Sequence, residues 1–205
     1  MKILLIAMNA KYIHSNLAVY CLKSYAARRG IETEIAEYTI NHRQDDILMD
    51  IYQKKPDVVA FSCYIWNLDY VEQLMDEYHK ICPEVPIWVG GPEVSYETEA
   101  FLKEHPQVTG VMVGEGEETF LELCESYAKA GIGEMAEKMN LLGIKGIMYR
   151  AGESLVKTGA REPLDLNRIP FCYGGVEDFR NRIIYYESSR GCPFRCSYCL
   201  SSVEK

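Results

Sequence analysis

Short apolar runs alternate with amphipathic stretches over roughly the first 130 residues of the chain. Four of these runs are almost free of polar residues, which is typical of strands buried on both faces of a parallel sheet. They lie within Met1–Asn9, Asp57–Cys63, Pro86–Val89 and Val108–Val113. A fifth segment, Ile31–Tyr38, alternates isoleucine and threonine with glutamate and predicts a strand nearer the sheet edge.

The stretches between these strands repeat apolar residues at helical spacing. Leu17, Cys21 and Tyr25 share one face of the first predicted helix, which Ser15 or Asn16 would cap. Further helices are expected over Asp45–Lys54, from a cap at Asn67, from a cap at Ser95 to Glu104, and from the run Gly114–Glu118 to about Ala130. This alternation predicts an α/β fold with a doubly wound, mostly parallel five-stranded sheet of the Rossmann-like or flavodoxin-like kind.

The pattern changes after Gly131. Ile144–Arg150 and Leu155–Lys157 predict a hairpin, and Glu162–Gly175 is a linker that contains prolines and glycines. Arg182–Glu187 predicts a new strand, followed by a loop that is rich in cysteine. The chain therefore divides into an α/β domain (residues 1–131), a hairpin and linker (132–181), and the start of another domain (182–205).

Composition limits the classes of function. Of the 205 residues, 48% are hydrophobic and 25% are charged, as in ordinary globular proteins. A net charge of −8 argues against a nucleic-acid-binding surface, which would be basic. We expect no membrane span, because no apolar run approaches the roughly 20 residues that a span needs. A cytoplasmic location follows, in which the eight cysteines would be reduced thiols.

Cys192, Cys196 and Cys199 form the spacing CxxxCxxC in one short loop. Thiolates are soft ligands that select iron–sulfur clusters or zinc. A four-iron cluster that is held by three thiolates keeps one iron open for another ligand. A zinc site normally adds a second cysteine pair or a histidine. No histidine follows His105, and Cys172 is the only other nearby thiol.

This loop resembles the cluster-binding loop of radical S-adenosylmethionine (SAM) enzymes. The resemblance includes Tyr198, just before the third cysteine, and the lead-in Arg190-Gly191-Cys192-Pro193. It implies that the three cysteines bind a [4Fe–4S] cluster and that Tyr198 contributes to cofactor binding. By the same resemblance, the methionyl amine and carboxylate of SAM would occupy the open iron.

The loops of the first domain narrow the choice of ligand class, because ligands of such sheets bind beyond the carboxyl ends of the strands. No GxGxxG follows the first strand, and there is no Walker lysine. Ser62-Cys63-Tyr64, Gly90-Gly91 and Gly114-Glu115-Gly116-Glu117 resemble the cobalamin-binding domain of one class of radical SAM enzymes. The cobalamin-binding candidates are Asn9, Lys11, Tyr12, His14, Ser62, Tyr64, Trp66, Gly90, Gly91, Pro92, Glu93, Gly114 and Gly116.

The first loop departs from the pattern of cobalamin domains that supply a histidine to cobalt. Lys11 stands where that axial histidine would be, and His14 where a glycine would be. An ammonium has no free lone pair, so base-off, histidine-off binding is expected. His14 as an unconventional cobalt ligand and His14 as a hydrogen-bonded loop residue both remain open. Tyr64 and Trp66 would either cover a corrin face or pack within the protein.

The resemblance implies an N-terminal part of a longer enzyme, inactive by itself. In that enzyme one electron from the cluster would cleave SAM to start radical chemistry, with methyl transfer to an unactivated carbon as the expected outcome. An electron donor such as a flavodoxin or ferredoxin is implied; the substrate is unknown. The alternatives are a non-catalytic cobalamin carrier or sensor, and a flavodoxin-like domain with a zinc-binding tail.

Overall fold

The computed structural model describes residues 1–130, 141–194 and 196–199. Within these residues seven strands form one sheet in the order β2-β1-β3-β4-β5-β6-β7. They are β1 Ile3–Asn9, β2 Thr33–Thr39, β3 Val58–Ser62, β4 Ile87–Gly90, β5 Gly110–Met112, β6 Ile147–Ala151 and β7 Ser154–Lys157. Strands β1 to β5 pair in parallel, whereas β6 pairs antiparallel with β5 and β7 pairs antiparallel with β6.

Helices cover both faces of the sheet, which confirms the predicted doubly wound architecture. They are α1 Leu17–Ala27, α2 Gln44–Lys54, α3 Leu68–Ile81, α4 Pro92–Ser95, α5 Thr98–Glu104 and α6 Glu117–Ala130. Val19 of α1 and Phe120 of α6 belong to the core on one face. Ile47 of α2 and Val71 of α3 belong to the core on the other.

The continuous apolar run of β1 reflects this double burial. Leu4, Ile6 and Met8 pack into the core under α2 and α3, whereas Ile3 and Leu5 pack into the core under α1 and α6. Successive side chains point to opposite faces of a strand, so both faces must be apolar when both are covered. The segment with alternating glutamates forms β2 at the edge of the sheet, as predicted.

The predicted hairpin is part of the same sheet. Its first strand pairs antiparallel with β5, with Val111 opposite Met148. The predicted five parallel strands are confirmed, and the hairpin extends the sheet to seven. The predicted boundary between residues 131 and 132 lies outside the described residues.

The predicted strand over Arg182–Glu187 is wrong. A single parallel bridge joins Ile183 to His14. The bridge stays isolated because His14 lies in the loop after β1 and belongs to no strand. Side chains hold the segment instead: the Ser15 hydroxyl donates to the Ile183 carbonyl (2.8 Å), and Arg182 donates to the His14 carbonyl (2.6 Å).

The predicted helix from Ser95 to Glu104 is also corrected. The chain forms the four-residue α4 and then α5, which begins at Thr98. The Ser95 hydroxyl donates to the Gly91 carbonyl and the Thr98 hydroxyl to the Val94 carbonyl, each at 2.8 Å. Both hydroxyls therefore donate to carbonyls four residues earlier in the chain, and Ser95 caps no following helix.

The predicted linker wraps over α1 and α6. Its regular structure is one 3₁₀ turn at Leu166–Arg168. Leu164 packs with Tyr25 of α1 and Leu121 of α6, and further along Tyr173 is fully buried. In the described part of the chain, no helix is long and apolar enough to cross a membrane.

Gly91 is required by the fold itself. Its φ is +122°, and a Cβ there would lie 2.3 Å from the Cys63 carbonyl oxygen. We expect Gly91→Ala to lower the free energy of unfolding by about 2 kcal/mol or more, measured by urea denaturation. Gly159→Ala is the matched control, because a Cβ there meets nothing within 4 Å. Equal stability of the two variants would contradict this account.

Candidate functional site

Gly90 leaves an opening at the carboxyl edge of the sheet. It lies in register between Ser62 of β3 and Met112 of β5. A Cβ at Gly90 would meet only ordinary contacts, the nearest being Met112 at 3.6 Å. The fold therefore does not require glycine at this position, unlike at Gly91. A residue without a side chain here keeps space free on the face that α1 and α6 cover.

Ser62 and two buried asparagines fix the ends of the strands around this opening. Asn16 donates through Nδ2 to the Ser62 hydroxyl (3.1 Å) and accepts from the Val19 amide (3.4 Å), so it caps α1. Asn67 donates to the carbonyls of Met8 (2.9 Å) and Ser62 (3.0 Å). The side chain of Asn67 thus joins β1 to β3 and makes no capping bond to α3.

Tyr64 and Trp66 form a stacked aromatic pair beside these strand ends. Their ring centroids lie 4.5 Å apart, with 9° between the planes. The indole of Trp66 donates to the Met8 carbonyl (3.4 Å), while 48% of the residue stays exposed. Burial, reinforced by the nearby Cys63, raises the pKa of Tyr64 to about 12. The pair offers a neutral, partly exposed aromatic surface.

In the loop after β1, some of the candidate cobalamin-binding residues are exposed and others are hydrogen-bonded within the protein. Lys11 and Tyr12 are exposed. Asn9 donates through Nδ2 to the His14 carbonyl and to Glu37 Oε1, each at 3.0 Å. His14 lies 2.6 Å from the Tyr185 hydroxyl through Nδ1. The structure therefore gives His14 a partner within the protein.

Glu37, in the carboxyl-terminal half of β2, is a carboxylate that sequence reasoning missed, and only 11% of its side chain is exposed. It accepts from Asn9, the Asn16 amide and the Tyr20 hydroxyl, and pairs with Arg182 at 2.8 Å. Burial would raise the pKa of Glu37, but hydrogen bonds from Arg182, Tyr20 and the Asn16 amide hold it below its ordinary value. The sequence signal for Glu37 is the alternation of glutamate in the edge strand, and that pattern does not distinguish Glu37 from the other glutamates of the strand.

The loop before α6 carries two glycines with different roles. Gly114 has a φ of +77°, and a Cβ there would meet nothing within 4 Å. A Cβ at Gly116 would lie 3.1 Å from Leu22, so this glycine lets α1 and α6 approach closely. Pro92 and Glu93 begin α4 after Gly91, and Glu93 is exposed.

The acidic residues of the same loop bind Arg190, which lies just before the cysteine loop. Glu117 is buried, and its Oε2 lies 3.1 Å from Nη1 of Arg190 while its Oε1 accepts from Nη2. Glu115 adds an ion pair at 3.5 Å, and its other contact is the Leu164 amide at 2.6 Å. The lead-in to the cysteine loop is thus attached at the start of α6, at the carboxyl edge of the sheet.

The three cysteines of the loop are partly exposed, and Tyr198 is 91% exposed. The Cys199 amide donates to the Cys196 carbonyl (3.1 Å) in a tight turn. Among the described residues, no three His, Cys, Asp or Glu side chains are grouped closely enough to hold a metal ion. The structure therefore does not bring Cys192, Cys196 and Cys199 together.

Residues 3–124 match the family described as the B12 binding domain. The chain belongs to this family. Gly90 at the end of β4, the partly exposed aromatic pair and Gly114 all lie at the carboxyl edge, where a B12-binding domain of this fold receives its ligand. Two positions without side chains and a neutral aromatic surface at this edge fit a flat cofactor such as cobalamin.

Relatives of this B12-binding domain include a cobalamin-dependent radical SAM methyltransferase and a cyclase. The chain is 30% identical over 156 residues to the cobalamin-dependent radical SAM methyltransferase TokK of Streptomyces tokunonensis, covering 71% of this chain and 22% of TokK. It is 27% identical over 165 residues to an anaerobic magnesium-protoporphyrin IX monomethyl ester cyclase of Rubrivivax gelatinosus, covering 76% of this chain and 29% of the cyclase.

The fold matches that of the cobalamin-dependent SAM radical enzyme OxsB, in the structure with aqua-cobalamin and SAM bound. The TM-score is 0.78 at 20% identity, over 97% of this chain and 28% of OxsB. The chain thus spans between about a fifth and a third of the length of these relatives.

Glu37 generates a prediction for stability against pH. We expect Glu37→Gln to lower the free energy of unfolding at pH 7 by about 2 kcal/mol, because Arg182 loses a charged partner. The pKa of Glu37 is depressed in the folded state, so its contribution is complete above the unfolded pKa and is lost as pH falls through the folded pKa.

The difference between wild type and Glu37→Gln should therefore narrow as pH falls below the ordinary carboxyl pKa of 4.5, measured by urea denaturation at several pH values. Glu104→Gln, exposed on α5, is the control and should stay within about 0.5 kcal/mol of wild type. A gap that stays constant or widens in acid would contradict the assignment.

Proposed function

We propose that this chain is the N-terminal part of a cobalamin-dependent radical SAM enzyme. The observation that carries the proposal is the attachment of the CxxxCxxC loop to the B12-binding domain: Arg190, two residues before Cys192, binds Glu117 at the start of α6. The ligand edge of a B12-binding domain and a loop of three thiols thus lie in one structure. Group transfer between two cofactors requires that they be held close together.

Cobalamin would lie against the carboxyl edge, with Gly90 and Gly114 leaving room and Ser62 lining the opening. When bound, it supplies a methyl group carried on cobalt. Tyr64 and Trp66 would present their stacked rings to the corrin. The chain's own part is to bind, orient and exclude water, while the cofactors carry the chemistry.

Base-off, histidine-off binding follows from the first loop. Lys11 is exposed and offers an ammonium rather than a lone pair. His14 is held by Tyr185 at 2.6 Å, and its main chain is fixed by the bridge to Ile183. The exposed Lys11 supports a cobalt without a histidine ligand at that position, whereas the Tyr185 contact engages only Nδ1 of His14, so Nε2 of His14 stays the alternative cobalt ligand.

Cys192, Cys196 and Cys199 would hold a [4Fe–4S] cluster that leaves one iron for the amine and carboxylate of SAM, with Tyr198 beside it. The cluster, when bound, supplies the electron that cleaves SAM. Methyl transfer to an unactivated carbon is the reaction we favour, since TokK is a methyltransferase. The cyclase among the relatives represents the other outcome, ring formation.

We place the enzyme in the cytoplasm, where thiols stay reduced. A reduced flavodoxin or ferredoxin would deliver the electron. No nucleic-acid partner is proposed, since the net charge is −8, and no membrane partner.

Cobalamin binding is tested by titrating the chain with hydroxocobalamin and recording absorbance. We expect Gly90→Val to weaken binding by about tenfold or more, because its side chain fills the opening, while stability changes little. Gly159→Val is the control, since that position has open space around its Cβ. Unchanged affinity in a folded Gly90→Val variant would exclude this opening as the binding site.

The cluster is tested by anaerobic reconstitution with iron and sulfide. Wild type should take up about four irons per chain, and Cys192→Ala should lose most of them. Cys82→Ala is the control, because Cys82 lies at the end of α3, far from the cysteine loop in the sequence. Zinc retention with no iron uptake would instead support the zinc-binding tail, and cobalamin uptake without iron would support a carrier or sensor.

A further inference from the structure

Two arginines anchor the segment that leads to the cysteine loop, at two separate places on the α/β domain. Arg182 pairs with Glu37 in the carboxyl-terminal half of β2, and Arg190 pairs with Glu117 at the start of α6. Between them, the Tyr185 amide donates to the buried Tyr173 hydroxyl (3.3 Å). The segment therefore runs from the edge near β2 and β1 to the start of α6.

The geometry points to Arg190 as a positioning residue that sets where the cysteine loop stands relative to the cobalamin edge. This inference rests on the proposed function and deepens it. Gly191, with a φ of +75°, is the one residue between Arg190 and Cys192. The Arg190 contact therefore holds the main chain two residues before the first cysteine.

The contact between Arg190 and Glu117 restrains the orientation of the two side chains. Both carboxylate oxygens of Glu117 bind the two terminal nitrogens of Arg190, an arrangement that fixes orientation as well as distance. The side chains of Arg190 and Glu117 are only 19% and 5% exposed, so water screens the pair weakly.

The place of Glu117 in the fold adds to this geometry. Glu117 begins α6, where the positive end of the helix dipole stabilises a carboxylate. Glu115 lies two residues earlier and contributes the ion pair at 3.5 Å. Glu187 pairs with Arg190 at 2.8 Å but belongs to the same segment, so it orients the guanidinium without linking it to the domain.

Amide hydrogen exchange of the segment tests the anchor without any cofactor, and it is read at the Tyr185 amide, which donates to the Tyr173 hydroxyl between the two arginines (3.3 Å). We expect Arg190→Ala and Glu117→Gln to accelerate exchange there by about tenfold or more, and Arg190→Lys to restore part of the protection. Glu99→Gln, which removes an exposed ion pair with Lys103 on α5, is the matched control and should leave exchange unchanged. Unaltered exchange in both anchor variants would overturn the inference.

The positioning role is read separately by electron paramagnetic resonance of the full chain, loaded with cluster and cobalamin. Arg190→Ala should change the spin–spin interaction between the reduced cluster and cob(II)alamin, with iron content and cobalamin affinity within about twofold of wild type. The same interaction in wild type and Arg190→Ala would reduce the contact to a structural one and overturn the proposal.

If the proposed function is wrong, the experiments give a different result from a failure of the Arg190 inference alone. In that case the wild-type chain takes up no iron or no cobalamin. The exchange experiment then still decides whether Arg190 anchors the segment, while the positioning role falls together with the proposed function.

Discussion

Main-chain polar groups at the carboxyl ends of β1 and β3 are buried, and each needs a hydrogen-bond partner. Asn67 binds the carbonyls of Met8 and Ser62, and Asn16 binds the Ser62 hydroxyl while it caps α1. Glu37 then accepts from Asn9 and the Asn16 amide. This network fixes the strand ends, and with them the loops of the candidate site and the anchor for Arg182.

Local patterns predict the parts of the fold that depend on local burial. The run Ile3–Met8 is apolar throughout because helices cover both faces of β1, and that cause is visible in the sequence. The hairpin's partner is not visible, because antiparallel pairing at the free edge of β5 leaves no mark within Ile147–Ala151. The false strand at Arg182–Glu187 has the same cause: apolar residues predict extended chain but not whether a strand lies beside it to pair with.

The candidate site shows the same limit. Gly90 and Gly91 are adjacent, and the sequence gives them one role, close approach of a ligand. In the structure Gly91 is needed for packing against Cys63, and only Gly90 leaves space. Likewise, the sequence gives Glu117 only a place at the start of a predicted helix, whereas its contact with Arg190 joins residues far apart in the sequence.

The acidic run at the start of α6 therefore serves the fold and the site together. The helices α1 and α6 both begin at the carboxyl edge of the sheet, because each follows one of its parallel strands. Glu37 near the first helix and Glu117 in the second then receive Arg182 and Arg190. Both carboxylates are largely buried, so water screens each ion pair weakly. The segment that leads to the cysteine loop is thus held at the same edge of the sheet that would receive cobalamin. The two proposed cofactor sites would therefore lie next to the same strand ends and helix starts.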